Sequence, residues 1–164
     1  METTINKEQF KFFWDGPFSQ WHPSKFIIDG VEFNKCEQYM MYKKALMFGD
    51  FESAKKVMAT SNPKEQKQIG REVKGFKDDV WIKYCRKIVY DANVAKFTQN
   101  PDLLKTLMDT GEAILVEASP YDKRWGIGLG AENPFAQDRS TWQGLNWLGE
   151  AITQVRKDIK SGKI

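Results

Sequence analysis

Between Asn34 and Phe48 the chain places Cys36, Tyr39, Met40, Met41, Tyr42, Ala45, Leu46, Met47 and Phe48 around nearly the whole circumference of a helix. A helix apolar all round is buried, so other elements must pack about it. Asn34, with Glu37 three residues later, has the form of a capping box and opens this helix, which runs to about Phe48. Two charges interrupt the apolar surface. At about 100° per residue, Glu37 and Lys44 fall within roughly 20° of each other, two turns apart. Met40, Met41 and Phe48 surround them. A carboxylate and an ammonium in such a setting are costly unless paired or facing a cavity. Singly, Glu37 reads as the capping-box acid and Lys44 as a solvated side chain; together, on one face, they point to a site.

The remaining pattern is mostly helical. Phe26-Ile27-Ile28, Asp29-Gly30 and Val31-Glu32-Phe33 read as a hairpin closed by a type I′ turn. Asn62-Pro63 with Glu65, and Asn100-Pro101, open two further helices. Trp81, Tyr84, Cys85, Ile88, Ala92 and Ala95 recur at helical spacing and predict a long helix from about Asp78 to Phe97. Ala113 to Ala118 suits a short strand. Thr141 is expected to cap a last helix with the stripe Leu145, Leu148, Ile152, Val155 and Ile159. From Glu117 to Ser140 there is no period, and a segment of that length without regular structure is functional or disordered. Trp125, Leu129 and Phe135 favour a site loop.

Composition narrows the function classes. At 164 residues the chain suits a single domain, 1–164, that needs no disulfide or metal staple. A net charge of +3 permits a phosphate-bearing ligand but falls short of a dedicated duplex-binding domain. No apolar run approaches the roughly 18 residues of a membrane span, and METTINKEQF is no signal peptide. A cytoplasmic protein with free thiols at Cys36 and Cys85, and no membrane partner, is the expectation. His22 is the one histidine. A zinc site or a histidine-based triad therefore lacks its donors, and no metal or cofactor is expected.

Other residues gain meaning by company. Asp122, in Ser-Pro-Tyr-Asp-Lys-Arg-Trp, reads alone as an Asx-turn residue. Beside Trp125 and the glycines Gly126, Gly128 and Gly130, it suits a sugar or nucleotide site. Glycosidic cleavage needs activated water, help for the leaving group and negative charge near the oxocarbenium ion; two carboxylates commonly share those tasks. The glycine run has neither Rossmann nor Walker A spacing. It is either a structural turn or a place where backbone N–H groups meet a phosphate. Trp81, on the buried stripe, reads first as core packing.

From about Phe12 to Arg156 these residues together resemble the NADAR family of YbiA-like N-glycosidases. The resemblance rests on Gly16-Pro-Phe-Ser19, Glu37-Gln-Tyr39 with Lys44, Gly70-Arg71, Trp81, Lys96-Phe97, Thr110-Gly111 and Leu115-Val-Glu117. It continues through Asp122-Lys-Arg-Trp125-Gly-Ile-Gly-Leu, Trp142-Gln-Gly144-Leu-Asn146-Trp-Leu-Gly149 and Val155-Arg156. It implies a mainly α fold with a small β element, a single compact YbiA-like helical domain. It also implies hydrolysis of a ribose N-glycosidic bond, in which Glu37, Trp81 and Asp122 correspond to the family's functional Glu, Trp and Asp. Glu37 and Asp122 are then the expected catalytic pair, their carboxyls about 5–12 Å apart. Ser19, Lys44, Arg71, Trp81, Trp125, Gly126, Gly128 and Asn146 are the expected substrate-binding set, with Lys44 and Arg71 meeting phosphate and the tryptophans walling the base. Gln20 and Gln38 stand where the family usually has Asn and His, so polar contacts there are expected to differ.

The implied ligand is nucleotide-like, ADP-ribose or a ribose phosphate. ADP-ribosylated guanine, free or in DNA or RNA, is the favoured substrate, because no riboflavin enzyme is fused to the domain. Early riboflavin-pathway ribosylaminopyrimidine phosphates are the alternative. A non-catalytic ADP-ribose-binding module is the third reading, against which the retained pair Glu37 and Asp122 speaks.

Overall fold

The computed structural model describes residues 8–164, so the signal-peptide reading of the first seven residues lies outside it. In chain order the elements are β1 (Phe10–Phe13), β2 (Phe26–Ile28), β3 (Val31–Phe33), α1 (Cys36–Met47), α2 (Phe51–Met58), α3 (Pro63–Arg71), α4 (Asp78–Thr98), α5 (Pro101–Met108), β4 (Ile114–Glu117) and α6 (Trp147–Lys160). Short 3-10 segments cover Pro134–Gln137 and Arg139–Thr141. The fold is mainly α with a small β element, as expected. Among the described residues no helix is long and apolar enough to cross a membrane. Contacts divide the chain into two compact units, Asp15–Thr106 and the residues on either side of it.

In the unit Asp15–Thr106, β2 and β3 pair antiparallel with Phe26 opposite Phe33. Asp29 and Gly30 have φ of 52° and 78°, the left-handed values a type I′ turn demands. The hairpin's buried rings pack on α1, with Phe33 edge-on to Tyr39 at 5.0 Å between centroids. Helix α1 is central: α2, α3, α4 and β3 all lie against it, the outcome its apolar circumference calls for. The Asn62 Oδ1 accepts from the Lys64 and Glu65 N–H groups, and Pro63 occupies the first turn. Long helix α4 buries Trp81, Cys85, Ile88, Val89 and Ala92, together with two polar residues, Asn93 and Lys96.

Helix α2 has no counterpart in the periodicity reading. Its cap is Asp50, whose carboxylate accepts from the Lys74 N–H (2.9 Å), the Ser53 hydroxyl (2.6 Å) and the Ser53 N–H (3.1 Å). These bonds favour the charged form and hold the Asp50 carboxyl at about 2, well below the usual value near 4. A depressed folded-state pKa stabilises the fold above the unfolded value and loses that contribution as pH falls through the folded one. Asp50→Asn should therefore lower Tm at pH 7, and the gap to wild type should close between about pH 4 and pH 2. Thermal melts across that range check it; a gap that persists at pH 2 would assign the effect to packing.

In the other unit, β1 and β4 pair in parallel, from Phe10 opposite Ile114 to Phe13 opposite Glu117. The strand reading of Ala113 to Ala118 is thus met by β4, and β1 is its unforeseen partner. Val116, Ile127, Leu129 and Ala136 form a core under Phe10, Phe12, Ile114 and Trp142. Helix α6 packs on β4 through the buried Leu148, Ile152 and Val155. It starts five residues later than Thr141 would set it. The Thr141 hydroxyl instead donates to the Phe135 and Asp138 carbonyls, and Leu145 is exposed ahead of the helix. The physical reason lies in the stretch 143–148, whose N–H groups are spent on the preceding loop: Gln143 to the Ile127 carbonyl, Leu145 to Lys123, Asn146 to Gly126, Trp147 to Arg124 and Leu148 to Trp125.

Candidate functional site

Helix α1 does not begin at an Asn34–Glu37 capping box. Its cap is Lys35, in extended conformation and without a side-chain cap bond. The reach-back is made by Gln38, whose Oε1 accepts from the Asn34 N–H at 2.8 Å. The Gln38 Nε2 donates to the Val57 carbonyl at 3.1 Å, which ties this buried amide to the end of α2. Gln38 therefore does the work the sequence pattern gave to Glu37. Glu37 stands one position earlier, in the first turn, with its N–H donating to the Gln20 carbonyl at 3.0 Å and its side chain buried.

Two turns on, the Lys44 ammonium lies 4.3 Å from the Phe76 ring centroid and 5.9 Å from that of Trp81. Burial lowers the Lys44 pKa; the Glu37 and Asp78 charges oppose that shift, and Arg71 adds to it. Glu37, Lys44, Arg71 and Trp81 thus share one electrostatic neighbourhood within a single unit, as their wheel positions and order suggest. A Cβ at Gly70 would collide with the Met41 sulfur, so a larger residue there would require that flexible side chain to move. Arg71 itself is exposed and Trp81 is buried in the core. Phe76 was not legible: nothing in its spacing separates it from any half-exposed aromatic.

A second polar group lies at the N-terminal end of α1. The Lys96 side chain is wholly buried, and its Nζ donates to the Ser19 carbonyl at 3.0 Å. Burial pushes the Lys96 pKa down, against a smaller upward pull from Cys36. The Ser19 Oγ accepts from the Trp21 N–H, a local turn bond, so this serine shapes the loop. The Asn93 Nδ2 donates to the Gln20 Oε1 at 3.1 Å and to the Val89 carbonyl at 2.8 Å. Burial raises the Cys36 thiol to about 11 in spite of Lys96, which leaves it a poor nucleophile. Lys96 was visible in the sequence only as half of a motif; its burial was not.

The other expected residues lie in the other unit. The Asp122 Oδ1 accepts from the Arg124 N–H (2.9 Å) and the Trp125 N–H (2.8 Å), the Asx-turn geometry. Trp125 is half-buried and meets Trp147 edge-on at 5.8 Å. The Gly128 N–H donates to the Asp122 carbonyl, so it is committed within the loop and is not a phosphate donor here. Gly126 is required by close packing, since a Cβ would come within 2.9 Å of the Glu117 carbonyl oxygen. The Asn146 side chain is fully buried, its Oδ1 accepting from the Glu117 N–H and its Nδ2 donating to the Leu115 carbonyl. It fastens the start of α6 to β4. Among the described residues no group of three or more His, Cys, Asp or Glu side chains is arranged to hold a metal ion.

The chain is 44% identical over 146 residues to an N-glycosidase of Acanthamoeba polyphaga mimivirus, covering 86% of both chains. It is 35% identical over 107 residues to the chloroplastic riboflavin biosynthesis protein PYRR of Zea mays, covering 63% of this chain and 15% of that one. The NMR structure of the Escherichia coli protein YbiA superposes with a TM-score of 0.78 at 23% identity, over 97% of this chain and 89% of YbiA, and shows the fold. The chain is an enzyme, a hydrolase acting on N-glycosyl compounds. The NADAR domain model matches residues 12–160, and the chain belongs to that family.

Proposed function

We propose that this enzyme removes ADP-ribose from guanine, in nucleotides or in nucleic acid, by water attack at the anomeric carbon. The observation that carries the reading is that the charges of a buried carboxylate, Glu37, and of Arg71 both act on the Lys44 ammonium, which lies over Phe76 and Trp81. Two neighbouring cations repel each other and suit a ligand with two phosphate charges. The aromatic rings suit a flat base. In the step itself the C–N bond breaks, the water oxygen bonds to the anomeric carbon, and the departing amine nitrogen takes a proton. Glu37 accepts the water proton or stabilises the oxocarbenium charge.

A second reading is hydrolysis of ribosylaminopyrimidine phosphates, favoured by the likeness to the maize riboflavin biosynthesis protein. Incubation with ADP-ribosylated guanosine and, separately, with a ribosylaminopyrimidine phosphate, read by mass spectrometry, decides between them. Release of free ADP-ribose and guanosine is the expected result. Cleavage of the pyrimidine substrate alone would transfer the conclusion to the second reading, and cleavage of neither would overturn both.

Turnover is expected to survive excess EDTA, because one histidine and two buried cysteines do not make a usual zinc donor set. Initial rates with and without chelator check this. Loss of activity restored by Mg²⁺ would assign the phosphate neutralisation to a carboxylate-held ion.

A further inference from the structure

Helix α3 carries Lys64, Lys67 and Arg71 at i, i+3 and i+7, so the three fall within roughly 60° of one another on the helix wheel. All three are exposed, and none pairs with a carboxylate among the described residues. The acids of the segment are engaged elsewhere: Glu65 accepts from the Thr60 hydroxyl, and Glu72 accepts from the Gln68 Nε2 at 2.9 Å. Like charges at this spacing weaken a helix. The helix dipole favours Arg71 in the last turn but opposes Lys64 in the first. An anion lying along the stripe would offset both costs. The unit Asp15–Thr106, to which α3 belongs, also holds the chain's excess of cations. Beside the stripe the Lys67 ammonium lies over the Trp21 ring, 5.7 Å from its centroid, and that residue is 37% exposed. One turn on, the Arg71 charge acts on Lys44 in the candidate site.

We propose that this face of α3, together with Trp21, is a binding surface for single-stranded nucleic acid and holds the strand beside the modified guanine. The proposal rests on the reading of guanine as the leaving base given above. Arg71 belongs to the site, which leaves Lys67 and then Lys64 for phosphates successively farther along the strand. Trp21 supplies a ring on which a base stacks next to a phosphate held by Lys67. Stacking requires an unpaired base, which selects a single strand over a duplex. A row of cations alone would serve an acidic peptide equally well. The exposed indole among them favours a base.

Fluorescence anisotropy with end-labelled oligothymidylate, and with oligouridylate in a second arm, tests the surface without requiring turnover. Binding in either arm supports the proposal, and the tighter arm names the strand as DNA or RNA. Wild-type affinity should fall with salt at a log–log slope of about −1.4 or steeper, the value for two phosphates of a single strand. Lys64→Gln combined with Lys67→Gln should make that slope about 1.4 shallower. Trp21→Ala should weaken binding roughly 5–150-fold. Trp21→Phe keeps an aromatic face and should restore most of that loss, which also covers an alanine variant that does not fold. On ADP-ribosylated guanine carried in a strand, wild-type kcat/KM should exceed that on free ADP-ribosylated guanosine by about tenfold or more. The double lysine variant should lose that gain while cleaving the free nucleoside at the wild-type rate. No wild-type binding in either arm, a salt slope that the lysine substitutions leave unchanged, or equal displacement by polyglutamate would overturn the proposal. Cleavage of the free nucleoside alongside any of those results would leave the enzymatic reading standing. Strand binding through these residues with neither substrate cleaved would overturn the guanine reading and keep only the surface.

Discussion

Glu37→Gln is expected to lower turnover by about 10²–10⁴-fold, the span of a positioned acid–base group. The protein should stay folded. The swap keeps shape, and the reach-back at the start of α1 belongs to Gln38. Removing that charge also removes an upward pull on the Lys44 pKa, leaving burial and Arg71 to lower it further. A variant with wild-type near-UV circular dichroism and almost no activity is the expected pair of readings. Activity within a few fold of wild type would return Glu37 to a purely structural role and move the water-activating task elsewhere.

The largest expected effect on stability comes from Gly149→Ala. Gly149 lies in the first turn of α6, and a Cβ there would overlap the Leu115 carbonyl oxygen and both ends of the Asn146 amide. None of those atoms can yield cheaply. The Leu115 carbonyl belongs to β4, and the Asn146 amide bridges its backbone at Leu115 and Glu117. Either α6 lifts from the strand or the amide bonds break. Overpacking typically costs about 1–3 kcal/mol, and a disrupted buried amide adds about 1 kcal/mol for each bond. A loss of about 3 kcal/mol or more is expected, lowering Tm by roughly 6–12 °C. Urea and thermal melts measure it; a change under about 1 kcal/mol would mean the helix shifts freely on its strand.

What was legible in the sequence is what short-range chemistry decides. The Asp29-Gly30 turn, the Asn62 cap, the stripe of α1 and, apart from the exposed Tyr84, the stripe of α4 each depend on residues within a turn or two, and each stands where the pattern puts it. The nearness of the Glu37 charge to Lys44 was legible for the same reason. Where distant backbone intervenes, local signals mislead. Thr141 has a capping residue's chemistry, but the stretch 143–148 after it is claimed by the loop 123–127. Asn34 and Glu37 have the capping-box spacing, yet Gln38 makes the bond because the helix starts at Cys36. Strand β1 was illegible because its partner lies about a hundred positions away. Lys96 could not be known as a buried ammonium, since nothing near it in sequence says that the Ser19 carbonyl would be its acceptor.

The parallel pairing of Phe10–Phe13 with Ile114–Glu117 also bears on how this chain leaves the ribosome. Strand β1 must wait for the whole of Asp15–Thr106, a unit continuous in sequence, before its partner exists. Domains form as their residues emerge at about 5–20 residues per second, so that wait is on the order of 5–20 s. During it Phe10, Phe12 and Phe13 are an apolar edge with no sheet to join, and closing so long a loop makes the pairing late and slow. The nascent enzyme is therefore most exposed to aggregation, and most open to chaperones, at its N-terminal strand.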